Sequence, residues 1–342
     1  MKPVAIFPED VTVENTAGRV LCHDVTSVGD IGRVKLGKGR IVQPEDVAAL
    51  QAYSGEIHLI EFESDDVHED EASMRLARAV AGDGIELKGP VESQTQLRAT
   101  HRGLLEVNSE VLRELNSLPD VSVFTAYDGQ PITVGKAVGA SKVTPLVVCG
   151  AVLRRAEEIA RRDGPVVRVH PFLGGAVGVV VRDRLSGKTR EKFESAIYMK
   201  VGWFGSSVAG IRYLADDVEA IAEAIDRFVV DGVSLILAAG VNSTDPLDLT
   251  IQALDRAGAR TEKRGVPAHP GSTCWLAYLG DVPVFGLALC GMFSKTTVLD
   301  LLLPRFLAGR EVRAELLSTF GHGGLLSKEM AFRFPAYAVE GE

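Results

Sequence analysis

The chain has little of what disulfide frameworks and metal centres are built from. Its four cysteines, Cys22, Cys149, Cys274 and Cys290, stand far apart without a CxxC spacing, which excludes a small disulfide scaffold and a cysteine zinc site. The seven histidines are equally dispersed. Basic charge is short as well: 37 Lys and Arg against 46 Asp and Glu leave a net charge of -9. No basic stripe of the kind that holds a nucleic-acid backbone is present. No apolar run approaches the ~18 residues that cross a bilayer, and MKPVAIFPED lacks the basic-then-apolar order of a signal peptide. These absences predict a cytoplasmic protein with neither nucleic acid nor membrane as partner. With 342 residues, 46% of them hydrophobic, the chain can bury large cores in two or three domains.

The pattern changes between Pro165 and Gly175. Upstream lie short apolar segments such as GRVLCHDVTSV, GEIHLIEFE and VSVFTAYDGQPITVGKAVG, punctuated by Gly, Asp and Pro about every ten residues, which predicts a β-rich α+β region over 1–170. A helix is expected from Glu69 to Ala81, with Ala72, Leu76, Ala79 and Val80 on one face. The acidic stretch Glu61 to Glu71 reads as a solvated turn that favours that helix's N-terminus. Downstream, over 171–312, strand, loop and helix alternate. AVGVVV (176–181), VSLILAAG and VPVFGLALC are continuous apolar runs, as parallel strands covered on both faces require, and SSVAGIRYL reads as a further strand. The spacing of Val218, Ile221, Ala222, Ile225, Phe228 and Val229 predicts a helix behind Asp216 and Asp217. This is an α/β architecture, a three-layer doubly wound mostly parallel sheet, followed by a tail over 313–342.

Ligands of such sheets bind beyond the carboxyl ends of the strands, and three polar loops fall there. The first carries Arg182, Asp183, Arg184, Ser186, Lys188 and Thr189, suited to a phosphate and an exocyclic amine. The second carries Asn242, Ser243, Thr244, Asp245 and Asp248, whose carboxylates suit Mg²⁺ or the N–H groups of a ring; Asp245 before Pro246 also reads as a helix N-cap. The third runs from Gly286 through Gly291 into Ser294, Lys295, Thr296 and Thr297, expected as the first turn of a helix with its anion-attracting N–H groups. Lys295 comes three positions too late for GxxxxGK[ST], and GxGxxG is missing, so neither a Walker nucleotide site nor a dinucleotide fold is favoured. His322, and Trp203, Trp275 and Tyr278, read as a turn residue and as core aromatics before they read as ligand contacts.

With these residues in view, AGVNSTDPLDLT resembles the GGxSVGxxD loop of the molybdopterin-binding domain of molybdopterin molybdenumtransferases and adenylyltransferases. PAHPGSTCWLAYLGDVPVFGLALCGMFSKTTVLDLLLPRFLAG is similar to that domain's PGKP turn and PVFGLPGNP loop. ENTAGRVLCHDVT, GKGRIVQPEDVAAL, HEDEASMRLARAVAGDGIEL, FGHGGLL and FRFP resemble the rest of the stand-alone molybdopterin-binding proteins, so nearly the whole chain is covered.

The resemblance implies molybdopterin or the molybdenum cofactor as ligand. It further implies cofactor-biosynthesis proteins or a recipient molybdoenzyme as partners, and a homo-oligomer is expected because symmetric oligomers are common among soluble proteins. Gly240, Ser243 and Asp248 match the second loop, and Pro270, Gly271 and Ser272 fall on the PGKP turn. If the protein catalyses, the implied reaction is insertion of molybdate into the adenylated pterin: Asp248 and Asp245 hold Mg²⁺ or orient molybdate, Ser294 and Lys295 bind the terminal phosphate, and loop one faces the pterin. Otherwise it is a carrier or sensor of the cofactor, or a metal-dependent nucleotide hydrolase on the same scaffold. The sequence departs from the pattern at His269 and Ser272, where lysines are expected, at Val241, where a second glycine is expected, and in a tail without cysteines.

Overall fold

The computed structural model describes residues 1–29, 32–182, 185–288 and 296–337. Their contacts divide into two units. One comprises Met1–Thr100, Glu106–Asp128 and Val134–Arg168; the other His101–Leu105, Gly129–Thr133 and Val169–Glu342.

The N-terminal unit is β-rich. Lys2–Ile6 and Val20–Leu21 flank Ile57–Glu61 in a three-stranded antiparallel sheet. Ile85–Val91, Gln94–Ala99, Ala137–Val143 and Val121–Thr125 form a four-stranded one. Alternation sets which side is buried: in Gln94–Ala99 every second residue, Thr95, Leu97 and Ala99, is fully enclosed while its neighbours are half-exposed. The acidic segment opens the expected helix, which runs Glu69–Val80. His68 caps it by accepting from the Asp70 N–H at 3.3 Å, and Nε2 of the same ring contacts the Gly39 carbonyl at 2.7 Å.

In the C-terminal unit the continuous apolar runs become the middle of a six-stranded sheet. Its elements are β1 (Ala176–Val181), α1 (Gly187–Trp203), β2 (Ser207–Tyr213), α2 (Val218–Val230), β3 (Leu235–Ala239), α3 (Leu249–Arg256), β4 (Arg260–Arg264), β5 (Trp275–Leu279), β6 (Val282–Gly286), α4 (Val298–Leu307) and α5 (Ala314–Thr319). The spatial order is β2-β1-β3-β6-β5-β4. β2, β1, β3 and β6 run parallel, in register Val177↔Val208, Val177↔Leu235 and Ile236↔Val284, and β5 and β4 close the far edge antiparallel. Helices cover both faces. Val177, Val179, Val181, Leu235 and Leu237 pack against Phe193, Ile197 and Val201 of α1 and Leu302, Leu303 and Phe306 of α4. The residues between them, Val180, Ile236 and Ala238, pack on Ile221, Ile225 and Phe228 of α2 and Ile251 and Leu254 of α3. That two-sided burial is why these strands show no polar alternation; each such side chain contributes about 1.5–3 kcal/mol. Gly178 faces α2, where a Cβ would stand 2.6 Å from the Phe228 ring.

The tail belongs to this core. Leu326, Phe334 and Tyr337 are buried in the α1/α4 layer, and the His269 backbone bonds Gly324 and Leu326. One polar cluster sits within that layer. Lys200 of α1 donates to Asp300 Oδ1 at 2.6 Å, and the Tyr337 hydroxyl donates to the same oxygen at 2.8 Å. Oδ2 accepts from the Thr297 N–H and hydroxyl, both at 2.9 Å, which closes a capping box at the start of α4.

Burial, and next the charge of Asp300, hold the Tyr337 proton well beyond its ordinary value of 10.0, while burial lowers Lys200 against the opposing pull of Asp300. The folded protein keeps the Tyr337 proton where the unfolded chain releases it. This contribution to stability is therefore complete below about pH 10 and lost as pH rises above it. Lys200 acts in the opposite sense, since the unfolded chain holds its proton more tightly. Tyr337→Phe is expected to flatten the fall in stability between about pH 9 and pH 11, measured by urea denaturation; an unchanged slope would show that this hydroxyl does not titrate on unfolding.

Among the described residues no helix is long and apolar enough to cross a membrane.

Candidate functional site

From β1 the chain steps aside to form β2, then returns past β1 to lay down β3 on its other side. The loops after β1 and β3 therefore leave in opposite senses, and a crevice opens between the carboxyl ends of these two strands. Loops one and two lie here. The Arg182 N–H donates to the Ala239 carbonyl at 3.0 Å, and the Leu287 N–H to that of Ala238 at 2.8 Å, so the start of the third loop is beside them.

Arg182, the first residue past β1, reaches across the crevice. Its Nη2 donates to Oδ2 of Asp248 and its Nη1 to Oδ1 of Asp216 at 3.2 Å. Asp248 is sealed from solvent, its side chain 0% exposed. Its Oδ1 accepts from the Thr250 N–H and its Oδ2 from the Asn242 N–H, both at 2.9 Å. One carboxylate thus caps α3, folds the second loop back on itself and pairs with loop one. The Arg182 side chain is 17% exposed, and its Nε is buried without an acceptor among the described residues. Held by both terminal nitrogens, the guanidinium keeps a fixed orientation at the rim and leaves part of its charge exposed there.

The second loop turns at Gly240, whose φ of +75° is the left-handed region that favours glycine. Val241 directs its side chain into the α2/α3 core, so the missing second glycine does not crowd the crevice. Asn242 and Thr244 are exposed and hydrogen-bonded to each other at 2.8 Å, and Ser243 is half-buried. The cap of α3 is Asp248, where the Asp245-Pro246 order had suggested Asp245. Asp245 instead accepts from the Leu247 N–H at 2.9 Å in a tight turn that keeps Pro246 outside the helix. Ser186 sits at the N-cap position of α1 with its side chain exposed.

Pro270 and Gly271 meet the start of α4. The Val298 N–H donates to the Pro270 carbonyl at 3.1 Å, and a Cβ on Gly271, where φ is +118°, would stand 2.8 Å from Val298. Ser272 is exposed. The helix α4 begins at Val298 rather than at Ser294, because the Thr297–Asp300 capping box sets its first turn. Thr296, half-buried, precedes it. Asp183, Gly291, Ser294 and Lys295 lie outside the described residues. Gly286 has a packing role: it pairs with Trp275 across β5 and β6, and a Cβ would stand 2.0 Å from the indole. Trp275 and Tyr278 are core residues, Trp203 packs with Phe172 and Phe204, and His322 is exposed.

The fit to Mg²⁺ is poor. A magnesium ion needs carboxylate oxygens presented to solvent and to substrate, whereas Asp248 is enclosed with both oxygens engaged and Asp245 is folded onto its own turn. Among the described residues no group of three or more His, Cys, Asp or Glu is arranged to hold a metal. A cavity of about 320 Å³ lies at the opposite, amino edge of the sheet, lined by Leu173, Ser234, Pro283, Phe306 and Arg310; it contains none of the loop residues. Sequence reasoning missed Asp216 as a partner of Arg182, and it missed Lys200, Asp300 and Tyr337. Only the T-x-x-D order of Thr297 and Asp300 was there to signal the latter.

The fold and crevice define a doubly wound α/β unit with a polar rim at its switch point. Residues 176–308 match the family model described as "Probable molybdopterin binding domain", and residues 10–60 match a "Domain of unknown function (DUF8806)". No curated protein matches the chain. Among solved structures, a molybdopterin biosynthesis MoeA protein from Pyrococcus horikosii is similar over 90% of this chain and 75% of its own, with 13% identity and a TM-score of 0.31. A likeness that loose carries no argument, and the domain match over 176–308 stands without it.

Proposed function

We propose that the protein binds molybdopterin or the molybdenum cofactor at the crevice between β1 and β3, as a carrier in molybdenum-cofactor biosynthesis. The observation that carries this reading is the Arg182 guanidinium, held between Asp216 and Asp248 and still partly exposed, at the switch point of the segment that matches the molybdopterin-binding model. Arg182 would donate to the pterin or its phosphate, with Asn242, Ser243 and Thr244 as neighbouring polar contacts. The engaged state of Asp248, and His269 and Ser272 where lysines would meet phosphate and molybdate, favour carrying over molybdate insertion or nucleotide hydrolysis.

The test is a fluorescence titration with molybdopterin and its adenylated form. Saturable binding is expected, weakened roughly tenfold or more by Thr244→Glu, which adds charge and bulk on an exposed loop position without touching the core. Absence of binding, or binding lost with Arg310→Glu at the opposite edge and kept in Thr244→Glu, would sink the assignment. Addition of molybdate and Mg²⁺ to the bound adenylate is expected to give no turnover; metallated product would replace the carrier by the insertion enzyme.

A further inference from the structure

The Arg182–Asp248 pair deepens the reading of the crevice as a ligand site, on which its functional meaning rests. We infer that Arg182 is a built-in counter-ion that occupies the place of a divalent cation at this rim, so that the protein captures its ligand without one.

Three features carry the inference. First, the guanidinium lies between two carboxylates that belong to different loops: Asp216 follows β2 and Asp248 follows β3. Two carboxylates facing one site are the usual grip for a divalent cation, and here the chain's own guanidinium stands between them, one nitrogen on the enclosed Asp248 and the other on the largely exposed Asp216. Second, Asp248 cannot turn toward another cation cheaply. Leaving Arg182 would also strip its Oδ2 from the Asn242 N–H that shapes the second loop, or its Oδ1 from the Thr250 N–H that caps α3. Third, the side chains of Arg182 and Asp248 are 17% and 0% exposed, so water screens the pair weakly and a metal ion approaching the Asp248 carboxylate meets the guanidinium's like charge.

The arrangement has a chemical consequence. A metal ion at this position would coordinate oxygens of an anionic ligand and polarise them. A guanidinium donates directional hydrogen bonds, is always charged and activates no water. Arg182 therefore selects for planar acceptors such as a phosphate or a pterin carbonyl edge, and it binds them with the same strength whether or not divalent cations are present.

Removing the guanidinium is expected to unmask the acidic pair. The measurement is Mn²⁺ binding by electron paramagnetic resonance, with the metal alone as probe. The native protein is expected to show no stoichiometric Mn²⁺ site. Arg182→Gln is expected to gain one site per chain, at least about tenfold tighter than any native binding, and Arg182→Gln with Asp248→Asn to lose it again. Arg182→Lys retains the charge and is expected to behave as the native chain does. Tryptophan fluorescence checks that each variant is folded. Stoichiometric Mn²⁺ binding by the native protein that disappears in Asp248→Asn overturns the inference, and so does a folded Arg182→Gln chain that gains none. Should Arg182→Gln not fold, the native and Arg182→Lys measurements decide by themselves. In parallel, native affinity for molybdopterin is expected to differ less than about twofold between EDTA and millimolar Mg²⁺. A chain that excludes Mn²⁺ as described and yet binds no pterin would refute the proposed function and leave the counter-ion standing. Pterin binding that requires Mg²⁺ would refute the counter-ion and leave the function standing.

Discussion

Replacing Lys200 by methionine is expected to lower the stability of the C-terminal unit by about 3 kcal/mol, the lower end of what loss of one partner of a buried ion pair costs. The reason is that Asp300 stays behind. It is enclosed within the α1/α4 layer, its carboxylate fully buried, and without the ammonium it retains the Thr297 and Tyr337 donors but no positive charge. Those remaining donors keep the loss from the upper end of the range. The effect can be read cleanly, because both tryptophans of the chain, Trp203 and Trp275, belong to this unit. Urea denaturation followed by tryptophan fluorescence therefore reports its unfolding rather than that of the N-terminal unit. The double variant Lys200→Met, Asp300→Asn should recover part of the loss, since the buried charge is then gone. A single-variant effect below about 1 kcal/mol would mean that water or another group replaces the ammonium beside Asp300.

Gly286→Ala is expected to cost about 3 kcal/mol or more. Position 286 was expected to matter through a backbone approach to phosphate. The structure supplies a different constraint: the glycine lies directly opposite Trp275 in the β5–β6 pair, and the added methyl would fall 2.0 Å from Cε2 and 2.2 Å from Nε1 of an indole that is 2% exposed. Neither partner can give way, because Trp275 is wedged in the α2/α3 core and β6 is bonded on its other edge to β3. Overpacking of this kind forces a backbone shift. A combined Trp275→Leu substitution should relieve the clash and make the pair markedly non-additive. If Gly286→Ala were as stable as the native chain and weakened only ligand binding, position 286 would be a ligand contact after all.

The layered α/β core of the C-terminal unit was legible in the chain because burial on both faces leaves a direct trace: AVGVVV, VSLILAAG and VPVFG can only be strands covered above and below, and the helix face from Val218 to Val229 repeats at helical spacing. The positions of the loops followed, since parallel strands joined by helices put them at one edge. Helix starts were legible less well. Thr297 rather than Ser294, and Asp248 rather than Asp245, cap their helices, because a cap is chosen by which side chain reaches a free N–H after the loop has folded, and several polar residues in a row offer the same chemistry. Arg182 and Asp248 were both read as ligand-binding side chains, one for a phosphate and one for a metal. Only the tertiary structure could show that each is the other's partner, because they lie 66 positions apart and meet where the strand order reverses. The same holds for Lys200, Asp300 and Tyr337. The sequence by itself determined the layers, the rim and the kinds of side chain available there, through local periodicity and composition; which charges face each other was decided in three dimensions, because pairing depends on distance through space, and spacing along the chain carries no record of it.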